Sequence, residues 1–108
     1  MDKKNKKVRN SNKHDSLVQL IEEELLNRGY SQIYKNTVYS KGEIDIYAFK
    51  YNYTLVFEAK SNETSKQLSR AKKQLDRVKE NLFKDYRTFY FIVSYNKNKP
   101  KFHWYRKK

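Results

Sequence analysis

Two short segments of alternating character, Gly42-Glu43-Ile44-Asp45-Ile46-Tyr47-Ala48 and Leu55-Val56-Phe57-Glu58-Ala59-Lys60, follow one another closely in this chain. Apolar and polar residues alternating at a period of two are the pattern of a strand. Lys50-Tyr51-Asn52-Tyr53 between them suits a hairpin turn, with Asn52 able to take the left-handed conformation. A turn centred on Tyr51 and Asn52 pairs Lys50 with Tyr53, and counting back sets Asp45 opposite Glu58 and Glu43 opposite Lys60. Ile44, Ile46 and Ala48 then share one side of the first strand, with Glu43, Asp45 and Tyr47 on the other. Leu55, Phe57 and Ala59 share one side of the second, with Val56, Glu58 and Lys60 on the other.

Directly opposed carboxylates repel and destabilise a strand pair by some tenths of a kcal/mol or more. A divalent cation reverses that sign, because two carboxylates offer the hard oxygen ligands that Mg2+ accepts while keeping waters for a phosphate. Lys60 would then stand beside the metal, placed to orient a water or to stabilise charge developing on phosphate. The alternative is a solvent-facing sheet with an ordinary Glu43 to Lys60 cross-strand ion pair. A register slip of one would instead put Asp45 and Glu58 on opposite faces.

These residues resemble the PD-(D/E)xK nuclease superfamily, Asp45 matching its metal-binding Asp and Glu58-Ala59-Lys60 its ExK. The local form Gly-Glu-Ile-Asp-Ile, then Leu-Val-Phe-Glu-Ala-Lys, looks most like archaeal-type Holliday junction resolvases and small bacterial relatives of that branch. The resemblance spans the chain from about Asp15 to Tyr95. It implies a restriction-endonuclease-like fold, a DNA substrate, and Mg2+ (with Mn2+ as a substitute) held by Asp45, Glu58 and the peptide oxygen of Ala59. It also implies a homodimer that cuts symmetric strands of a four-way junction. Family members usually place an acidic residue on the first helix, facing the metal, and here the match departs. Counting back from Gly29 lands near Val18, which cannot ligate. Glu22 lies one turn later and Asp15 nearly one turn earlier. Glu22 is favoured as the third catalytic acid because Val18, Leu25 and Leu26 are its helical neighbours, so it borders the buried stripe.

The remaining elements follow from periodicity. A helix is expected from about Ser16 to Asn27, capped by Asp15 or Ser16 and closed by Gly29, with Leu17, Leu20, Ile21 and Leu25 in the core and Val18 at the edge. Gln32 to Tyr39 reads as a strand. Ser65 to Phe83 reads as a second helix with the stripe Leu68, Ala71, Leu75, Val78 and Leu82. Thr88 to Ser94 is an apolar run suited to a strand covered on both faces, and Lys101 to Arg106 to an edge strand. The fold class is therefore α/β, one domain with a mixed central sheet flanked by helices in the order α-β-β-β-α-β-β. Phe102 and Trp104 share a face of the edge strand, for the core, for stacking on bases or for a dimer contact. His14 and His103 have no partner spacing that suggests a metal site and read as surface histidines.

Charge agrees with a polyanionic partner: 25 Lys and Arg stand against 12 Asp and Glu, a net +13 over 108 residues. A general lysine bias would give the same balance. Lys41, Arg70, Lys73 and Gln74 are the candidate DNA contacts, against the plainer reading of solvated side chains. Met1 to Lys13, with six Lys or Arg and one Asp, is expected to be a basic flexible tail ahead of a nuclease-like domain over residues 14–108. The absence of Cys excludes disulfides, zinc-thiolate sites and iron-sulfur clusters. No apolar run suggests a leader or a membrane span, so an intracellular, cytoplasmic protein with no membrane partner is expected. No Gly-rich phosphate loop or nucleophile elbow is present, and no small-molecule substrate is expected.

Together these point to a metal-dependent DNA endonuclease, structure-selective in the manner of a junction resolvase. The alternatives are a restriction or defence-type nuclease that draws specificity from a partner, and a basic DNA-binding module whose hairpin is structural. A ribonuclease shares the same phosphate chemistry.

Overall fold

A computed structural model describes residues 9–62, 64–83, 87–96 and 99–105. The elements are α1 (Arg9–Asn27), β1 (Gln32–Tyr39), β2 (Gly42–Lys50), β3 (Tyr53–Lys60), α2 (Ser65–Asn81), β4 (Arg87–Asn96) and β5 (Lys99–Tyr105), in the expected order α-β-β-β-α-β-β. One five-stranded sheet runs β1-β2-β3-β4-β5. All its pairings are antiparallel except β3 with β4, which are parallel and joined through α2. The sheet is therefore mixed, and the parallel pair lies inside it, covered on both faces.

Each helix covers one face. Leu17, Val18, Ile21 and Leu25 of α1 pack on Ile46, Ala48, Phe57, Ala59 and Val93. Ala71, Leu75 and Val78 of α2, with Phe83, pack on Ile44, Val56, Tyr90 and Ile92. Two apolar stripes at helical spacing and one sheet between them give three layers, the arrangement that buries both faces of a strand such as β3. Four consecutive residues of β3, Val56 to Ala59, are buried.

Among the described residues helix α1 already runs from Arg9, ahead of the expected start at Ser16, so the expected boundary at residue 14 falls within it. Residues 9–15 carry neither Pro nor Gly, and a helix nucleated on the Leu17 to Leu25 stripe extends backwards through them at little cost. Met1 to Val8 of the expected tail lie outside the described residues. The other end matches its Gly signal. Gly29 takes φ 88°, and the bonds from Tyr30 N–H to the Leu25 carbonyl (3.0 Å) and from Gly29 N–H to that of Leu26 (3.0 Å) close a Schellman motif.

Helix α2 is capped by Thr64, whose Oγ1 accepts from the Gln67 N–H at 3.2 Å. It ends at Asn81, short of Phe83, so Leu82, expected in the stripe, is 39 % exposed and Phe83 is buried in its place. Once the chain leaves the helix axis, 3.6-residue spacing no longer tells which side chain faces the sheet. In α1 the buried face is rotated toward Val18, leaving Leu20 at the rim.

The hairpin turn has the expected register, Lys50 opposite Tyr53, which runs back to Ile46 opposite Phe57. The left-handed residue is Tyr51 (φ 55°) and not Asn52. Beyond Ile46 the ladder stops, so Asp45 with Glu58 and Glu43 with Lys60 are not ladder pairs. On the other side of β2 the pairing with β1 also skips Asp45, opposite Asn36, which is itself left-handed at φ 52°. Strict alternation breaks at this point. Ile44 belongs to the α2 side, while Ile46 and Ala48 belong to the α1 side.

Replacing Ile21 or Leu75 by Ala is expected to cost about 2–5 kcal/mol of folding free energy in urea denaturation. Leu26→Ala, at a side chain 55 % exposed, is expected to change stability by less than about 0.5 kcal/mol.

Candidate active site

Asp45 sits where β2 loses its partners on both sides, and its carboxylate replaces the missing backbone bond. Oδ2 accepts the Ala59 N–H at 2.8 Å, tying β2 to β3 through a side chain. The residue is only 4 % exposed. Glu58, 3 % exposed, lies alongside on β3. Lys60 Nζ stands 3.2 Å from Glu58 Oε2. The expected trio of Asp45, Glu58 and Lys60 is thus brought together, with Ala59 held by the first of them.

The electrostatics of this group are those of a site short of positive charge. Burial, and next the charge of Asp45, push the Glu58 carboxyl up to about 8 against the opposing pull of Lys60. A carboxyl raised by burial and by a second acid beside it, at the edge of a cleft, is a candidate functional position. The donors fit a hard divalent cation: two nearly buried carboxylates at one point, which a cation would relieve of their repulsion. Among the described residues no three His, Cys, Asp or Glu side chains are closed into a ready-made metal cage.

Helix α1 contributes a residue that the sequence pattern does not single out. His14 Nε2 lies 3.3 Å from Asp45 Oδ1. The pKa of the imidazole is raised, first by its hydrogen bond to Asp45, with burial opposing and the charges of Asp45, Glu58 and Asp15 adding. Glu22, expected in this role, is turned to β1 and pairs with Lys35 at 2.9 Å. It lies eight residues beyond His14, about 12 Å along the helix axis. The sequence does carry a signal for His14. It continues the buried stripe at positions 14, 17, 18, 21 and 25 one turn toward the N-terminus, and a helix started at Ser16 hides it.

On the other flank, α2 supplies a basic wall. A polar cleft of about 390 Å3 is lined by Lys60, Arg70, Lys73, Gln74 and Arg77. The four α2 residues recur at spacings of three and four and so share one helix face. Arg70, Lys73 and Gln74 are expected contacts; Arg77, one of the other basic residues with which the sequence loads this helix, joins them on the flank nearest Lys60. Gln74 Oε1 is buried and makes no hydrogen bond. The charges of both Arg77 and Glu58 act on the Tyr39 hydroxyl, whose pKa is raised chiefly by burial, so the end of β1 borders the same region. Lys41 is exposed on the β1–β2 turn and does not line this cleft.

The raised Glu58 carboxyl sets a pH dependence for the metal-free protein. Free Glu58 ionises near 4.5 and the folded one near 8, so between these values the native state keeps a proton that the unfolded chain has released. Stability then falls as pH rises. His14 acts in the same direction, since the stability from its raised pKa is complete below the ordinary imidazole value and is lost as pH rises through the raised one. Urea titrations are expected to show a loss on the order of a few kcal/mol between about pH 5 and pH 8. Glu58→Gln should flatten most of it; an unchanged slope in that variant would assign the titration to another group. No family model matches this chain and no curated protein is significantly similar to it, so the functional reading rests on the geometry of these residues.

Proposed function

We propose that this chain is a divalent-metal-dependent endonuclease of the PD-(D/E)xK kind, with a restriction-endonuclease-like fold, that hydrolyses DNA phosphodiesters. The observation that carries the reading is the buried Asp45 and Glu58 pair, with Lys60 beside it at the mouth of a cleft walled by Arg70, Lys73 and Arg77. Burying two carboxylates together is costly without a cation, and a basic cleft next to them suits a polyanion.

In this reading Asp45, Glu58 and the peptide oxygen of Ala59 hold Mg2+ or Mn2+. The bound cation supplies Lewis-acid polarisation of the phosphate and a lowered pKa for a coordinated water. Lys60 orients that water or stabilises charge on the phosphoryl oxygens. The Ala59 N–H fixes the Asp45 carboxylate, so the donor is preorganised. Arg70, Lys73 and Arg77 hold the nucleic-acid backbone, which carries no sequence information. That arrangement favours recognition of a DNA structure over a long base sequence, as in a junction resolvase working as a homodimer.

Cleavage of labelled four-way junction, linear duplex and single-stranded DNA, with an RNA control, tests this directly. Asp45→Asn, Glu58→Gln and Lys60→Ala are each expected to lower the rate by about 100-fold or more while leaving binding in place. Paired symmetric nicks on the junction support the resolvase reading. Cutting of duplex or single strands alone removes the junction, and tight binding without cutting under either metal leaves a DNA-binding module. Replacing Arg70, Lys73 or Arg77 by Ala should weaken binding about equally across sequences. It should also reduce the slope of log affinity against log salt by about one for each phosphate no longer neutralised.

A further inference from the structure

Both ring nitrogens of His14 face carboxylates. Nε2 points inward to Asp45 Oδ1 at 3.3 Å, and Nδ1 lies 3.8 Å from the exposed Asp15 carboxylate. A carboxylate outside, an imidazole, and a buried acid inside make the sequence of groups found where a histidine ligates a metal. At 3.8 Å the outer carboxylate makes no hydrogen bond and acts on the ring through its charge alone. The inner spacing also fits. Two donors about 2.1 Å from one cation in adjacent octahedral positions lie about 3 Å from each other. Asp45 Oδ2 is committed to the Ala59 N–H, so Oδ1 is the oxygen turned to His14. The α1 stripe of Leu17, Val18, Ile21 and Leu25 is buried and fixes the direction in which His14 leaves the helix. Neither nearby acid of α1 competes for the position, since Glu22 is held by Lys35 and Asp15 stands outside His14.

We propose that His14 is a ligand of the divalent cation held by Asp45 and Glu58, and that this mixed nitrogen and oxygen site selects Mn2+ over Mg2+. The proposal rests on the metal-dependent reading above and changes its preferred cofactor. Mn2+ is the weakest nitrogen binder of the first-row divalent ions, yet it accepts an imidazole more readily than Mg2+, which favours oxygen throughout. The three side chains are not gathered into a cage in the metal-free arrangement. Asp45 is their shared neighbour, touching His14 and acting on Glu58, and the cation draws them together.

The test is electron spin-echo spectroscopy of the full chain with Mn2+ at about pH 8.5, above the ordinary imidazole range. Calorimetric titrations of Mn2+ and Mg2+ accompany it, on wild type, His14→Gln and Asp45→Asn. Wild type is expected to show nitrogen-14 modulation from a coordinated imidazole. His14→Gln should abolish that signal and bind Mn2+ about tenfold more weakly or worse, with Mg2+ affinity changed by less than about threefold. Mn2+ bound in wild type and not in Asp45→Asn, with no nitrogen signal, overturns the proposal and leaves His14 a counter-ion of Asp45, while the nuclease reading stands. A nitrogen signal in a protein that cuts neither DNA nor RNA keeps the ligand and removes the nuclease. Absence of any Mn2+ site overturns both. The nitrogen signal is read on wild type, so the outcome does not depend on how well the variant folds.

Discussion

The hydrogen bond from the Ala59 N–H to Asp45 Oδ2 is the interaction on which the rest of this arrangement depends. At Asp45 the strand β2 loses its ladder partners on both sides, and in an ordinary sheet that would leave backbone groups unsatisfied in a nearly dry place. The carboxylate takes over one of those bonds. In doing so it holds β2 to β3 beyond the last ladder pair, Ile46 with Phe57, and beside Glu58. The same irregularity turns Ile44 to the α2 layer while Ile46 stays with α1. A single polar side chain thus sets the local path of the hairpin, the division of the core between two helices, and the place where two acids meet.

The surroundings of that point combine opposite electrostatic tasks. Over the whole chain the charge is +13, a field that favours polyanions in general and is screened beyond about 10 Å in ordinary salt. Within the site two acids are buried together, and Glu58 holds its proton up to about pH 8 beside Asp45. The transition between the two is short. Lys60 touches Glu58 and also lines the cleft with Arg70, Lys73 and Arg77. The site opens at the C-terminal end of the parallel pair β3 and β4, the usual position for ligands in α/β sheets. The crossover through α2 is what brings the basic face there.

The parts of this structure that are legible in the sequence are those decided locally. The turn at Tyr51 and Asn52 sets the pairing of Lys50 with Tyr53, and the spacing of Ala71, Leu75 and Val78 sets the buried face of α2. Asp45, Glu58 and Lys60 come together as expected, although the register carries only as far as Ile46 opposite Phe57 and the Asp45 bond to the Ala59 N–H holds the strands together beyond it. What is not legible comes from interactions distant in sequence. The face switch at Ile44 follows from the Asp45 bond to Ala59, fourteen residues away. The helical turns of α1 ahead of Ser16 have no apolar periodicity to announce them. His14 is therefore easily passed over, although it stands one turn before Leu17 and Val18. Conversely Glu22, which periodicity places beside the stripe, finds Lys35 across on β1, a partner that nothing in α1 reveals.

The site also explains why the layers around it are packed as they are. Asp45 and Glu58 lie on the hairpin, but the imidazole that reaches Asp45 comes from α1, and the guanidinium groups that flank Lys60 come from α2. No two-strand fragment could assemble them. Each helix is seated by apolar burial, which is indifferent to the chemistry of the site, and each presents its polar residue from the end or edge of a buried stripe. Burial of the two acids, and the repulsion they meet when both ionise, oppose this assembly, and at about 25 cal/mol per Å2 of apolar surface the two stripes can offset a few kcal/mol of it. An isolated hairpin could not, since two strands are marginal in water even without buried charge. The acidic pair is thus a local departure from favourable burial that exists because two unrelated hydrophobic interfaces impose it. A bound cation would convert that departure into affinity, by relieving in the folded state a repulsion that the unfolded chain does not have.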